Sequence, residues 1–234
     1  MLPALRAVSL DLDNTLWDTA PVLARAEEVL RAWLVGHLPG IAARFDTSDL
    51  ARLRGVVAAE RPDLAHDLSW VRTAALRRAA RAAGYADGAA DEAFAVFLAA
   101  RNEIVPFGEV PEALARLAAR LPLYAVSNGN ACVWRVGLGA HFAAAIDAAS
   151  AGAAKPDRRI FDRLLAVAGL PPAAVLHVGD DAHADVEGAR GAGLRTAWMN
   201  RSGAPWPVSL PPPDHELADL DELVGLVERL QRTG

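Results

Sequence analysis

The sequence predicts an α/β fold, a Rossmann-like, doubly wound parallel sheet with an inserted all-helical cap domain. Short apolar runs that end in polar residues alternate with amphipathic helical patterns, as in a parallel sheet covered by helices on both faces. One long stretch, from about 18 to 103, carries helical patterns and no convincing strand. The chain has 234 residues, of which 53% are hydrophobic and 23% charged, so it is globular and long enough for one domain with an insertion.

Four apolar runs predict the buried strands of the sheet. They cover residues 7–10, 123–126, 175–178 and 195–199. The helices predicted between and after them cover 110–121, 160–165, 182–192 and about 219–230. A Pro-rich segment at 203–214 predicts a loop at the edge of the sheet.

The inserted segment predicts a bundle of helices. Its amphipathic patterns cover roughly 20–36, 48–60, 67–83 and 87–101. We expect its hinges at 17–19, close to Pro21, and at 105–108, which contains Pro106. We therefore expect a sheet domain made of 1–17 and 104–234 and a helical cap at 18–103. An insertion directly after the first strand leaves the connectivity of the sheet unchanged.

Composition and charge exclude several classes of protein. The net charge is −5 and no stretch collects basic residues with interleaved aromatics, so nucleic-acid binding is not expected. A single cysteine, Cys132, can form neither an intramolecular disulfide nor a multi-thiolate zinc site, which favours a reducing compartment. Because we find no signal-peptide pattern and no apolar run of about 18 residues, we expect a soluble cytoplasmic monomer or homodimer with no membrane partner.

Polar residues that could carry chemistry cluster at the ends of predicted strands. In chain order they are Asp11, Asp13, Ser127, Asn128, Lys155, Asp180, Asp181 and Asp185. Ligands of an open parallel sheet bind beyond the carboxyl ends of its strands, so we expect these side chains to share one site. Crowded carboxylates repel one another unless a cation lies among them, and an all-oxygen site suits Mg²⁺.

The order of these residues resembles a known family, the haloacid dehalogenase superfamily of phosphohydrolases, in its subclass with a helical cap after the first strand. Four motifs of that family are present in order. They are Asp11-Leu12-Asp13-Asn14-Thr15-Leu16, Ser127-Asn128-Gly129, Lys155-Pro156, and Gly179-Asp180-Asp181 with Asp185. The resemblance covers the whole chain. Four ordered motifs at predicted strand ends are specific, whereas one Asp-x-Asp pattern is weak.

The resemblance implies a Mg²⁺-dependent phosphatase for a small phosphorylated metabolite, similar to phosphatases of nucleotides, sugar phosphates and acylneuraminate phosphates. Asp11 would be the nucleophile that forms an aspartyl-phosphate. Asp13 would protonate the leaving oxygen and then activate water. The metal would be held by the Asp11 and Asp180 carboxylates and the Asp13 backbone carbonyl.

The remaining motif residues would bind phosphate in such an enzyme. The Ser127 hydroxyl, the Asn128 backbone N–H and the Lys155 ammonium would contact the phosphoryl oxygens, and Asp185 would steady the metal site or Lys155. Of the 24 basic residues, 23 are Arg, and Lys155 is the one Lys. A need for a compact point charge in place of a planar fork explains why this position retains Lys.

Three alternatives share part of this pattern. A 2-haloacid dehalogenase uses the same scaffold but lacks a carboxylate at the position of Asp13. A phosphosugar mutase differs from a phosphatase mainly in its cap residues, and the sequence leaves it open. A receiver-type phospho-signalling module also combines an acidic pair, a phosphorylated Asp and a Lys, but in another motif order and in a shorter chain.

Several polar and aromatic residues have structural explanations or no assigned role. We expect Trp17 to pack at the hinge and His177 to be a hydrogen-bonded core histidine in its strand. His66 and Trp70, near the start of a cap helix, are candidates for substrate contact. The role of Asp181 is left open.

Overall fold

The computed structural model describes residues 3–232 and divides into two compact units. The sheet unit extends from the described N-terminal residues to Asp18 and also contains Val105–Gly129 and the residues from Val133 onward. The helical unit comprises Thr19–Ile104 together with Asn130–Cys132. The two boundaries between the units lie after residues 18 and 104, each one residue later than the sequence predicts. The sequence does not predict that Asn130–Cys132 belong to the helical unit.

Five α-helices form the helical unit within residues 19–104. They are α1 (Thr19–His37), α2 (Pro39–Arg44), α3 (Thr47–Glu60), α4 (Leu68–Ala82) and α5 (Gly88–Arg101). Apolar residues at helical spacing face a common core, in which Leu30 of α1, Leu76 of α4 and Phe97 of α5 belong to one buried cluster. The start of α4 is set by Asp67, whose side chain accepts a hydrogen bond from the Trp70 N–H.

Within residues 3–232, six parallel strands form one sheet. They are β1 (Ala7–Leu10), β2 (Leu123–Ser127), β3 (Phe142–Asp147), β4 (Val175–Gly179), β5 (Arg195–Met199) and β6 (His215–Leu217). The order across the sheet is β3-β2-β1-β4-β5-β6, so one half is built outward from β1 and the other outward from β4. The carboxyl ends of β1 and β4 flank the switch point of this order, where open parallel sheets bind ligands.

Helices cover the sheet of this unit. They are α6 (Val110–Ala118), α7 (Val133–Val136), α8 (Ala148–Ala151), α9 (Arg158–Ala168), α10 (Gly188–Gly191) and α11 (Leu220–Arg232), with short 3₁₀ turns at Gly139–His141 and Pro172–Ala174. Every residue of β1, β2 and β4 is buried, as expected of parallel strands covered on both faces. Among residues 3–232, none of the helices is both long enough and apolar enough to cross a membrane.

The predicted fold class is confirmed, with differences in individual elements. Strands β1 and β5 have the predicted bounds, and β2 and β4 each extend one residue further. The sequence does not predict α2, α7, α8, β3 or β6. Strand β3 contains three consecutive alanines, which favour a helix by intrinsic propensity, and pairing with β2 holds them in a strand instead.

The helix predicted at 182–192 is wrong as a single element. A π-helical turn at Ala182–Glu187 precedes the short helix α10. Its widening is visible in the hydrogen bonds, because the Asp181 carbonyl accepts from the N–H groups of both Asp185, at 3.0 Å, and Val186, at 3.3 Å. Such widened turns occur frequently at functional sites.

Gly188, the first residue of α10, packs closely on the segment that follows Lys155. A Cβ atom at this position would lie 2.8 Å from the Cα of Pro156 and 2.9 Å from the ring of Phe161. We expect Gly188→Ala to lower the free energy of unfolding by about 1–3 kcal/mol, because an added methyl group in a packed core forces its neighbours to move. Urea denaturation followed by circular dichroism measures this change.

Gly191, the last residue of the same short helix, is the matched control. A Cβ atom there would meet nothing within 4 Å. Gly191→Ala should therefore leave stability unchanged or raise it by up to about 1 kcal/mol, because alanine restricts the unfolded chain more than glycine does. A similar loss of stability in both variants would contradict the packing explanation.

Candidate active site

The first motif forms a compact turn at the carboxyl end of β1. The Asp11 N–H still donates to the Val178 carbonyl across the strand pair, at 2.8 Å, so the nucleophile candidate is anchored to the sheet. Three residues later, Asn14 has a φ of 60°, a left-handed conformation that Asn adopts more readily than most residues. The turn brings the side chains of Asp11 and Asp13 to the lining of one cavity.

Trp17 orients the carboxylate of Asp13. Its side chain is fully buried, and its Nε1–H donates to Asp13 Oδ1 at 2.8 Å. The backbones of the two residues also form a parallel β-bridge. Trp17 therefore packs in the interior, as expected, and in addition holds a candidate acid and base in place. Because residues 13–17 form a turn and not a helix, the spacing of four residues is no sequence signal for this contact.

The second motif lies at the end of β2. Ser127 is buried, and its hydroxyl oxygen accepts a hydrogen bond from the Gly129 N–H at 2.9 Å. The amide side chain of Asn128 makes two bonds to the backbone of Lys155, accepting from its N–H at 2.7 Å and donating to its carbonyl at 3.0 Å. The sequence assigns a role only to the backbone N–H of Asn128. Its side chain fixes the backbone from which Lys155 extends.

The Lys155 ammonium is buried and has three partners. It donates to Oδ1 of Asp11, to Oδ1 of Asp185 at 2.7 Å, and to the Val126 carbonyl at 2.8 Å. An ammonium group has three N–H donors, so each can be satisfied. This matters because a buried charge is tolerated only when it is paired and hydrogen-bonded.

The fourth motif begins at the last residue of β4, and its carboxylates Asp180 and Asp181 have different surroundings. Asp180 is half-buried, and its backbone carbonyl accepts from the Trp198 indole N–H at 2.7 Å. The Thr15 hydroxyl lies 3.5 Å from carboxylate oxygens of both Asp11 and Asp180. Asp181 caps the π-helical turn, because its side chain accepts from backbone N–H groups at 2.8 and 2.7 Å. The role of Asp181, which the sequence leaves open, is therefore to cap this turn.

Asp185 is directed inward by the π-helical turn. Its Oδ2 accepts from the Asp181 N–H at 3.0 Å, and its Oδ1 contacts both Lys155 and the Nε2 of His177, the latter at 3.2 Å. Gly179 leaves room for this side chain, since a Cβ atom there would lie 2.2 Å from Asp185 Oδ2. The glycine of the motif is thus required by the close approach of a carboxylate.

One cavity of about 170 Å³ is lined by residues of all four motifs. The predicted site residues that line it are Asp11, Asp13, Ser127, Asn128, Lys155, Asp180 and Asp185. Pockets for drug-sized ligands span roughly 300–1,000 Å³, so this cavity suits a small charged group. Trp70, a candidate for substrate contact, belongs to the helical unit, where the Arg61 guanidinium lies over its ring at 5.6 Å.

The carboxylates at the cavity exceed the positive charge that faces them. Oxygens of Asp11, Asp180 and Asp185 all lie within 4.8 Å of one another, and Lys155 is the one ammonium bonded among them. Burial raises the pKa of Asp11 against the opposing effect of the Lys155 ammonium, and the charges of Asp185 and Asp180 raise it further. Burial and the Asp185 charge likewise raise the pKa of Asp180 to about 6.

Lys155 and Asp185 stabilise each other in their charged forms. Burial by itself raises the pKa of Asp185, but the Lys155 ammonium and the bond from His177 outweigh it and bring the pKa below its ordinary value. Burial also acts to lower the pKa of Lys155, and the carboxylates of Asp11 and Asp185 outweigh it, so this pKa is raised. The interior of the site therefore contains a fixed ion pair.

The donor set fits a hard divalent cation. Carboxylate oxygens are preferred ligands of Mg²⁺, which uses one or two of them and retains several waters. Burial and neighbouring carboxylate charges raise the pKa values of Asp11 and Asp180, so a cation beside them would stabilise their ionised forms. Both oxygens of Asp185 are already engaged by Lys155, His177 and a backbone N–H. Asp11 and Asp180 are therefore the side chains suited to hold a cation.

The chain is similar to known hydrolases over most of its length. Residues 5–193 match the family model of haloacid dehalogenase-like hydrolases. The sequence is 32% identical over 202 residues to 5-amino-6-(5-phospho-D-ribitylamino)uracil phosphatase YigB of Escherichia coli K12, covering 85% of this chain and 84% of the relative. It is 31% identical over 243 residues to phosphoserine phosphatase of Thermus thermophilus, covering 95% and 92%.

A solved structure shows the same likeness in three dimensions. The crystal structure of 2-haloacid dehalogenase from Pseudomonas syringae pv. tomato DC3000 superposes with a TM-score of 0.91 at 37% identity, covering 96% of this chain and 99% of that one. Relatives named for phosphate-ester chemistry and for carbon–halogen chemistry therefore share this fold. By its sequence match and its fold, the chain belongs to the haloacid dehalogenase-like hydrolase family.

Proposed function

We propose that this hydrolase is a metal-dependent phosphatase that acts on a small phosphorylated metabolite through an aspartyl-phosphate on Asp11. The observation that carries the proposal is the second carboxylate, Asp13, on the lining of the same cavity and bonded to Trp17. Asp11 is buried and paired with Lys155, whereas Asp13 is half-buried. Two carboxylates in different environments suit two roles, a nucleophile and an acid and base. The phosphatase relatives support the same reaction.

In the first step, an oxygen of the Asp11 carboxylate attacks phosphorus and the bond from phosphorus to the leaving oxygen breaks. An alkoxide is a strong base, so its departure is easier when Asp13 delivers a proton to it. The Ser127 hydroxyl, the Asn128 backbone N–H and the Lys155 ammonium balance the negative charge on the phosphoryl oxygens. The products are the free alcohol and the Asp11 acyl phosphate.

In the second step, Asp13 is ionised and accepts a proton from a water molecule as that water attacks phosphorus. The bond between Asp11 and phosphorus breaks, the carboxylate is regenerated and inorganic phosphate leaves. One residue therefore serves as acid in the first step and as base in the second. Trp17 keeps it in position for both, because its indole N–H donates to the same carboxylate.

Mg²⁺ is the cation that we propose for this site, held by the carboxylates of Asp11 and Asp180 and by the backbone carbonyl of Asp13. When bound, it supplies positive charge that reduces the repulsion between a phosphate group and the anionic nucleophile. Asp185 is left as a partner of Lys155, as its engaged oxygens indicate.

A 2-haloacid dehalogenase is the second candidate, and the structural similarity to an enzyme of that name favours it. The leaving group argues against it. A halide is a very weak base that departs without a proton, so that reaction has no use for an acid at the position of Asp13. A phosphosugar mutase would need the same two carboxylates. The cytoplasmic location, the oligomeric state and the role of the helical unit as a cap stay predictions.

The choice between the two candidates is tested with the wild-type protein. We expect inorganic phosphate to be released from members of a phosphate-ester panel in the presence of Mg²⁺ and no halide to be released from 2-chloropropionate. A chelator should abolish phosphate release and added Mg²⁺ should restore it, whereas Ca²⁺ should replace Mg²⁺ poorly because its coordination shell is larger and looser. Halide release without phosphate release would overturn the proposal.

The acid role of Asp13 predicts an effect that depends on the leaving group. Asp13→Asn should lower kcat/KM for an alkyl phosphate by about 10²–10⁴-fold, the usual contribution of general acid–base catalysis. The loss should be smaller for p-nitrophenyl phosphate, whose leaving group is a weak base. Because kcat/KM reports the steps up to the first irreversible one, it isolates the proton transfer to the leaving group.

Asp181→Asn is a matched control for that experiment. Asp181 lines the same cavity, but its side chain caps a helical turn and has no role in the proposed reaction. Asn is as good a cap as Asp, so this variant should retain nearly all activity with both esters. Equal losses on both esters in Asp13→Asn would contradict the acid role.

Lys155→Arg tests whether the compact shape of the Lys155 ammonium group is required for catalysis. A planar guanidinium cannot reproduce three bonds from a single nitrogen to Asp11, Asp185 and a carbonyl. We expect kcat to fall by about 10²–10³-fold, the scale of removing one preorganised electrostatic group. Arg158→Lys, the reverse exchange at an exposed position nearby, is the control and should leave kcat unchanged. Wild-type kinetics in Lys155→Arg would contradict the assignment.

A further inference from the structure

We infer that His177, supported by Ser9, is a positioning residue that holds Asp185 and, through it, the Lys155 ammonium against the nucleophile Asp11. The sequence suggests only a hydrogen-bonded core histidine at this position. For its activity readout the inference rests on the proposed phosphatase function, whereas the chain of contacts is a feature of the structure alone.

The contacts begin in the two central strands. Ser9 of β1 and His177 of β4 are partners in register, so their side chains leave the sheet on the same face. The Ser9 hydroxyl oxygen lies 2.9 Å from His177 Nδ1, and His177 Nε2 lies 3.2 Å from Asp185 Oδ1. That same carboxylate oxygen accepts from Lys155 at 2.7 Å. A continuous buried path therefore joins β1 to the ammonium group.

The direction of the hydrogen bonds follows from charge. His177 is almost completely buried, and burial lowers its pKa, so the ring is neutral at pH 7. The ionised carboxylate of Asp185 can only accept, so Nε2 carries the proton and donates to it. Nδ1 is then an acceptor for the Ser9 hydroxyl. Asp185 thus selects the tautomer, and the Ser9 hydroxyl supports it by donating to Nδ1.

The ring is also fixed in orientation. The Phe161 ring meets it edge-on, with centroids 5.2 Å apart and an angle of 83° between the planes. A carboxylate that lost its donor from His177 would be less restricted in orientation, because only Lys155 and one backbone N–H would still hold it. Lys155 would then lose a fixed partner. A displacement of this kind at a catalytic group lowers the reaction rate, since catalysis depends on preorganised charge.

The experiment compares three variants of the whole protein. His177→Leu removes the donor to Asp185, and His177→Gln retains a side-chain N–H in its place. The control is Thr196→Val, which removes a buried hydroxyl group from the neighbouring strand β5. Thr196 pairs in register with His177, but its hydroxyl bonds to Asp214. The readouts are kcat with p-nitrophenyl phosphate and Mg²⁺, the free energy of unfolding, and the nuclear magnetic resonance signal of the Lys155 side chain.

The third readout does not depend on activity. Because Lys155 is the one Lys of the chain, protein labelled with [¹⁵N]lysine gives a single side-chain nitrogen signal. We expect His177→Leu to lower kcat by about 10- to 100-fold, the usual effect of removing a partner from a catalytic constellation, and to shift or broaden this signal. His177→Gln should recover most of both. Thr196→Val should lose stability and retain both.

Two results would overturn the inference. One is wild-type kcat and an unchanged Lys155 signal in His177→Leu, and the other is an equal loss of kcat in Thr196→Val. If His177→Leu does not fold, Ser9→Ala replaces it, since this variant removes only the hydroxyl, and an unchanged Lys155 signal in it would count against the inference. If the wild-type protein lacks phosphatase activity, the proposed function fails, and the Lys155 signal still decides the positioning role.

Discussion

The buried ammonium group of Lys155 is the interaction on which the site depends. A positive charge in the interior is stable only if each of its donors is bonded, and here the partners are Asp11, Asp185 and a backbone carbonyl. Each partner comes from a different part of the chain, so the ion pair can form only when the sheet is assembled. Asn128 completes the arrangement by bonding to the Lys155 backbone on both its N–H and its carbonyl.

The same ion pair leaves the site with an excess of negative charge. Lys155 forms ion pairs with both Asp185 and Asp11, so one positive charge is shared between two carboxylates, and the Asp180 carboxylate lies close to both of them. Burial raises the pKa of Asp11 and that of Asp180, and the charge of Asp185 raises both further. The proposed cation would offset this imbalance and would then favour an incoming anion.

Family membership by itself does not decide the reaction, because one fold serves both phosphate-ester and carbon–halogen chemistry among the relatives of this chain. The difference lies in what the leaving group needs. Asp13 is held by Trp17 at the same cavity as Asp11, and in the proposed reaction it provides the proton that an alkoxide needs and a halide does not. The proposed function therefore rests on one carboxylate and its indole partner.

The sequence by itself determined the fold class, four of the strands and most of the polar residues that line the cavity. It could do so because buried parallel strands are continuous apolar runs and the polar residues that follow them meet at one edge of the sheet. It could not predict β3 and β6, because their local preference for a strand is weak. They become strands by pairing with β2 and β5. Only the tertiary structure decided how the site is supported. The bonds of Trp17 to Asp13 and of His177 to Asp185 depend on distances between side chains, and a pattern of residue types contains no such distances.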